Sequence, residues 1–121
     1  MTDRGVTGWS VSTIKWGKRN PDGSRVSMLD GDPKSAGLFT FALSIPAGFH
    51  GKLHRHSGDM VATVLKGVLV LGGPKGRTLH RTGSCVLVRA GAVHYDAART
   101  ETVVVIAGIG PLTTEYLDAE A

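Results

Sequence analysis

The sequence of 121 residues predicts an all-β fold, and two observations carry that prediction. No window repeats apolar residues at the period of about 3.6 that a long amphipathic helix requires. Instead, short runs rich in valine and isoleucine alternate with turns, and the 17 glycines mark a chain that turns often. Closely spaced short strands are typical of a sandwich or barrel, not of a parallel sheet covered by helices.

The first clear strand is the stretch GLFTFALSIP, which begins at Gly37. Alternation along a strand places Phe39, Phe41, Leu43 and Ile45 on one face and smaller or polar residues on the other. We therefore expect this strand to bury one of its faces.

Further strands follow in order along the chain. MVATVLKG and VLVLGG predict two strands joined at Gly67, and GSCVLVRAG, AVHYDAA and ETVVVIAGIG predict three more. RTLHRTG, which contains His80, is expected to be a polar turn. Because no internal repeat is visible, we expect residues 1–121 to form one barrel domain, with an N-terminal arm over about residues 1–20.

The charge balance favours a small ligand over nucleic acid. The chain has a formal net charge of +4, and its densest basic cluster is KWGKR, from Lys15 to Arg19. Trp16 within it is suited to stacking on a base, but no recognition helix or zinc finger accompanies the cluster. We expect a solvated arm there, and a mildly positive protein also suits small anionic ligands.

We expect no signal peptide, because MTDRGVTGWS is charged and lacks an apolar run, and no segment is apolar enough over about 20 residues to cross a membrane. Cys85 is the only cysteine, so no intrachain disulfide can form, and we expect a cytoplasmic protein. Cys85 itself is expected to be a buried apolar residue rather than a nucleophile.

A cluster of histidines is the strongest functional signal. Three of them, His50, His54 and His56, lie within seven residues in HGKLHRH. Residues two apart on a strand point to the same side, so His54 and His56 are placed to share one cation. Two imidazoles do not complete a coordination sphere, and a third ligand must come from elsewhere in the chain.

Glycines at defined spacings surround these histidines. The first stretch reads G-x5-H-x-H-x3-M-x6-G and runs from Gly48 through His54, His56 and Met60 to Gly67.

A second stretch reads G-x5-R-x-G-x2-H and runs from Gly83 through Arg89 and Gly91 to His94. Together, the two stretches resemble the two sequence motifs of the cupin family. The match includes the three histidines and the four glycines of those motifs.

The resemblance implies a small single-domain cupin, folded as a double-stranded β-helix, or jelly-roll barrel. It also implies a metal inside the barrel, held by His54, His56 and His94.

Three positions depart from the cupin motifs. Met60 replaces the glutamate that is the usual fourth ligand, Arg89 replaces a proline, and Ala98 replaces an asparagine. Without the glutamate, neutral imidazoles leave the charge of a dication uncompensated, so the site should recruit an anion or a chelating substrate. Met60 is expected to fill the pocket wall, or, if its thioether reaches the metal, to be a fourth ligand that favours copper.

Four other residues near the two motifs are interpreted from their positions. His50 is either a general base or outer donor at the barrel mouth, or an ordinary surface residue. Asp96 shares a face with His94 if the strand is regular, and it would then orient an imidazole or accept a proton from substrate. Tyr95 should point to the opposite face, and Asp59 is expected to bond its local backbone in a turn.

The site resembles those of cupins that have three histidines and no glutamate, some of which use Fe(II), and this resemblance favours a non-haem Fe(II) dioxygenase acting on a small anionic or dicarbonyl substrate that chelates the metal. Zinc, nickel or manganese in the same site would give a lyase, isomerase or cyclase, and copper is also compatible with imidazole ligands. A third possibility is a cupin that binds a metal or metabolite without catalysis. We expect a homodimer, with Trp9 and Trp16 buried either in its interface or against the protein's own barrel.

Overall fold

The computed structural model describes residues 2–3 and 5–117 of the chain. The remaining residues of the expected 1–121 domain lie outside the described residues. The described chain contains twelve β-strands and no helix, so the all-β prediction is confirmed. No helix of the described part is long and apolar enough to span a membrane.

The strands in chain order are β1 Thr2–Asp3, β2 Val6–Thr7, β3 Arg25–Asp30, β4 Gly37–Ile45, β5 His54–His56, β6 Met60–Lys66, β7 Val68–Gly73, β8 Gly76–Arg81, β9 Cys85–Val88, β10 Tyr95–Ala97, β11 Thr102–Gly110 and β12 Thr114–Tyr116.

Two sheets form the barrel. The first contains five antiparallel strands in the order β3-β4-β11-β6-β9. The second consists of β10-β7-β8 and β12-β5, which isolated bridges join at the His54–His94 and His50–Ala97 pairs. From β4 to β7 and again from β8 to β12, consecutive strands alternate between the two sheets, which is typical of a jelly roll.

The core lies between the two sheets. The predicted inner face of β4 is confirmed: Phe39 and Ile45 are fully buried, and Phe41 and Leu43 pack against the same cluster. Val64 and Val104 reach this cluster from β6 and β11. Burial of each large side chain contributes roughly 1.5–3 kcal/mol to folding.

The N-terminal arm covers part of the outer face of the five-stranded sheet. Ile14 forms a second cluster with Ala42 and Val103, and Trp16 packs against it. Trp16 therefore lies against the protein's own barrel, whereas Trp9 keeps 37% of its surface exposed.

Gly67 joins β6 to β7, as the sequence predicts, and it forms the corner between the two sheets. Its φ is +82°, and a Cβ there would lie 2.5 Å from the carbonyl oxygen of Glu101 and 2.6 Å from Thr102 Oγ1. Only glycine meets both requirements. The other motif glycines also have positive φ, between 81° and 91°.

Two expectations about this fold are wrong. The segment with His80 is not a turn: it forms β8, which pairs with β7 along its whole length. Its outer position exposes nearly every residue, so it lacks the alternating apolar pattern that marks a strand. Cys85 is exposed because it lies on β9, an edge strand, and faces outward beside Thr63.

Candidate metal centre

Three histidines converge at one end of the barrel interior. His54 and His94 face each other across two backbone hydrogen bonds, each 2.9 Å, in which the amide of one donates to the carbonyl of the other. The His54 ring centroid lies 4.9 Å from that of His56 and 4.3 Å from that of His94. The structure thus brings together the three predicted ligands: His54 and His56 lie on β5, and His94, directly before β10, is joined to His54 by an isolated bridge.

One nitrogen of each ring is already occupied. The Nδ1 of His54 lies 2.7 Å from the carbonyl oxygen of Lys52, and the Nδ1 of His94 lies 2.9 Å from that of Ala92. A carbonyl oxygen only accepts, so both Nδ1 atoms must carry the proton and each Nε2 has a free lone pair.

The third ring is held by a side chain. His56 Nδ1 lies 2.8 Å from the hydroxyl of Thr114 on β12. Hydrogen bonds of this kind to the distal nitrogen orient metal-ligating imidazoles in proteins.

The geometry fits a divalent transition ion. One ligand atom from each of His54, His56 and His94 lies within 4.8 Å of the others. Metal–imidazole bonds of about 2.1 Å allow ligand nitrogens to be up to about 4.2 Å apart, so small side-chain movements close the site.

The local electrostatics keep His56 neutral. Burial, together with smaller electrostatic effects of His54 and His94, lowers the pKa of His56 to about 4. A neutral imidazole is the form that binds a metal ion.

Asp96 lies beside this cluster and on the same face of β10 as predicted. Its Oδ1 is 4.0 Å from His94 Nε2. Burial raises the pKa of the Asp96 carboxyl, and the nearby His94 and His54 offset only part of that effect.

A cavity of about 1070 Å³ opens in front of the histidines. This volume is at the upper end for small-molecule sites. Its walls are mostly hydrocarbon, from β4, β6, β7 and β11. Lys34 and Lys52 also line it, as does Asp22, whose carboxylate accepts hydrogen bonds from the amide and hydroxyl of Ser24.

Met60 lies in the cavity wall and belongs to the hydrophobic core cluster. This packing favours the expectation that Met60 fills the wall, and coordination by its thioether stays a prediction. Ala98, at the other main departure from the motif, is also buried in this cluster. An asparagine there would place an amide among apolar side chains.

His50 is exposed and lies at the edge of the cavity. Its ring stacks on that of Tyr95 with centroids 4.2 Å apart, and its Nδ1 lies 3.0 Å from the carbonyl oxygen of Gly51. Tyr95 lies over Gly72 on the opposite side of the strand from Asp96, as expected. The role of His50 stays a prediction.

The sequence analysis did not identify the role of Thr114, and its expectation for Asp59 is wrong. Nothing in TTEY marks Thr114 as the partner of His56, because the two residues are brought together only when β12 pairs with β5. Asp59 does not bond its local turn as expected. Its carboxylate accepts hydrogen bonds from the amide of Ala90, at 2.8 Å, and from Arg89, at 3.3 Å, and so ties together the loops that carry the two motifs.

No protein-family model matches the sequence, and no curated protein matches it. Solved structures do match its fold. A cupin-like protein from Thermotoga maritima has a TM-score of 0.74 at 19% identity, and the match covers 89% of this chain and 90% of that one.

Two of the similar structures are dioxygenases. The acetylacetone dioxygenase from Acinetobacter johnsonii matches with a TM-score of 0.74 at 20% identity, over 99% of this chain and 82% of that one. The salicylate 1,2-dioxygenase from Pseudaminobacter salicylatoxidans matches with a TM-score of 0.68 at 16% identity, over 80% of this chain and 31% of that one. The chain therefore has the cupin fold.

Proposed function

We propose that this protein is a metal-dependent dioxygenase of the cupin fold that acts on a small, chelating substrate of the dicarbonyl type. The proposed ligands are His54, His56 and His94, and the preferred metal is Fe(II). The observation that carries the proposal is the convergence of three imidazoles, each with its Nδ1 hydrogen-bonded, at the wall of one large cavity.

Iron(II) supplies redox chemistry between a chelated substrate and O2, for which three imidazole ligands leave coordination positions open. The similar folds of the acetylacetone and salicylate dioxygenases support this reaction class.

The chain's own residues would select the substrate. Leu69, Leu71 and Ile106 form part of an apolar wall that would hold the hydrocarbon portion and exclude water. Lys34 and Lys52 would attract an anionic oxygen group. His50 would act as a general base or as an outer hydrogen-bond donor at the mouth of the cavity.

The first test is metal content. Protein purified without chelators or an affinity tag would be assayed for metals by mass spectrometry. The protein would then be reconstituted anaerobically with Fe(II), and its O2 uptake would be measured in aerated buffer with 1,3-dicarbonyl substrates. His94→Ala should lose both the metal and O2 uptake. His80→Ala is the matched control, because His80 lies on β8 and its Nε2 bonds Thr78 instead of facing the site.

The outcomes separate the candidate functions. Stoichiometric iron with substrate-dependent O2 uptake would support the dioxygenase. Zinc, nickel or manganese without O2 uptake would favour a lyase or isomerase, and a wild-type protein that binds no metal after reconstitution would refute a metal enzyme.

We also propose that residues 1–121 form one domain and that two copies associate through the outer face of the five-stranded sheet. Leu38 and Ile109 are paired across β4 and β11 and are 60% and 65% exposed. Val61 and Leu87 are paired across β6 and β9 and are also exposed. A contiguous apolar face of this kind is typical of an interaction surface. The free thiol of Cys85 suits the reducing cytoplasm that we propose as its location.

A further inference from the structure

Asp96 is an acidic side chain directed into the barrel beside the histidines. It pairs with Leu71 of β7, which also lines the cavity, whereas its neighbour Tyr95 points outward over Gly72. Its side chain is 26% exposed, and its Oδ1 lies 4.0 Å from His94 Nε2.

The Asp96 carboxylate lacks the hydrogen bonds that a largely buried acid normally has. Among the described residues no group donates a hydrogen bond to this carboxylate, and the His94 ring, at 4.0 Å, lies beyond hydrogen-bond distance. Asp22, an exposed acid, differs from Asp96 in this respect. Asp22 lines the same cavity, but its Oδ1 accepts hydrogen bonds of 2.9 Å and 2.6 Å from the amide and hydroxyl of Ser24.

Asp96 and His56 lie on different sides of the His54–His94 pair. His54 and His94 form the central pair, and His56 lies two residues beyond His54 on one side. Since β5 and β10 run antiparallel, the residue two beyond His94, which is Asp96, lies on the other side of the same pair. The carboxylate thus faces a part of the site that the three imidazoles leave open.

A divalent ion bound by three neutral imidazoles keeps its double positive charge next to hydrocarbon walls, and an uncompensated charge in such surroundings is unfavourable. A single carboxylate on the open side would halve that net charge.

We propose that Asp96 is the anionic member of the metal site. Its carboxylate balances the bound dication and accepts a hydrogen bond from the water or substrate hydroxyl that occupies the ion's open side. Asp96 is thus a positioning residue for whatever binds there. This inference rests on the metal site of the proposed function.

Asp96→Asn keeps the shape of the side chain and removes its charge, and it should affect metal affinity and the stability of the metal-free protein differently. Affinity for Zn(II) or Co(II), measured by competition with a chelating dye, should fall about 10-fold to 100-fold. The melting temperature of the metal-free protein should stay the same or rise, because the substitution removes an unpartnered carboxylate. A purely structural role would lower that temperature instead.

Two further variants complete the test. Asp96→Glu keeps the charge and should recover most of the affinity. Asp22→Asn removes a charge from the same cavity but from a carboxylate already bonded to Ser24, and it should leave the affinity within about twofold of wild type.

The possible results are distinguishable. Wild-type affinity in Asp96→Asn, or an equal loss in Asp22→Asn, would overturn the inference and leave the proposed function intact. A lower melting temperature of metal-free Asp96→Asn would also overturn it. A wild-type protein that binds neither ion would overturn both proposals.

Discussion

Thr114 and His56 are 58 residues apart in sequence, yet the Thr114 hydroxyl lies 2.8 Å from His56 Nδ1. The contact exists because β12 returns along β5 and pairs Thr114 with His56. It makes the C-terminal strand part of the histidine cluster, since this hydroxyl is the group that orients the third imidazole.

Thr114→Val should therefore weaken metal binding by about tenfold, because the His56 ring loses the partner that fixes its orientation. Affinity would be measured by chelator competition with Zn(II). Thr114→Ser retains the hydroxyl and should bind nearly as tightly as wild type. Thr78→Val is the matched control: Thr78 also bonds a histidine at 2.8 Å, but that histidine is His80, outside the cavity. Equal losses in Thr114→Val and Thr78→Val would contradict the assignment.

Gly72→Ala should lower the free energy of unfolding by about 1–3 kcal/mol, because the added methyl group would overlap the Tyr95 ring and displace it from His50. Urea denaturation would measure the change. In a Tyr95→Ala background the overlap is absent, so Gly72→Ala should then have a much smaller effect. A full effect in that background would show that the backbone at position 72, not the ring, requires glycine.

Glu101 should contribute a pH-dependent term to stability. A hydrogen bond of 2.6 Å from Lys66 lowers the pKa of the Glu101 carboxyl, and the charge of Arg25 acts in the same direction. A carboxyl with a lowered folded-state pKa stabilises the fold above its ordinary pKa and loses that contribution as the pH falls through the lowered value. Glu101→Gln should thus be less stable by about 0.5 kcal/mol at neutral pH, since the pair is exposed.

The Glu101→Gln difference should shrink as the pH falls below the ordinary glutamate pKa of about 4 and should vanish once the pH is below the lowered pKa of the folded state. Urea denaturation across this range would measure it, and Lys66→Met should reduce the neutral-pH effect. A difference that is independent of pH would mean that the ion pair does not cause it.

Ile109→Glu should disrupt the proposed dimer, because it places a charge in the middle of an apolar surface. Light scattering coupled to size-exclusion chromatography should report a dimer for the wild type and at least about tenfold weaker association for the variant. Leu79→Glu is the control, since Leu79 is also exposed but lies on β8 of the other sheet. Identical masses for both variants would argue against this face as the interface.

The local pattern predicts much of this molecule. Alternation along GLFTFALSIP predicts the buried face of β4, and the glycine at position 67 marks the corner between two strands. The spacing of His54 and His56 predicts that they share a face, because strand geometry alone determines it. The segment of β8 illustrates where this reasoning fails, since an exposed edge strand has no apolar alternation to read.

Local pattern was not sufficient to predict His94 as the third ligand. Nothing local to His94 indicates a ligand, and only its place in a motif of the cupin family connects it with His54. The structure explains that connection through the antiparallel bridge between the two residues.

The sequence by itself determined the all-β class, the strand that carries His54 and His56, and the turns that require glycine, because each depends on neighbours within a few residues. Only the tertiary structure decided which partners hold each Nδ1, which acid in the cavity lacks a hydrogen bond, and which apolar residues stay exposed. Those properties depend on contacts between strands far apart in sequence, such as β5 with β12 and β7 with β10. Their pairing is set by the packing of the whole barrel and not by any single segment.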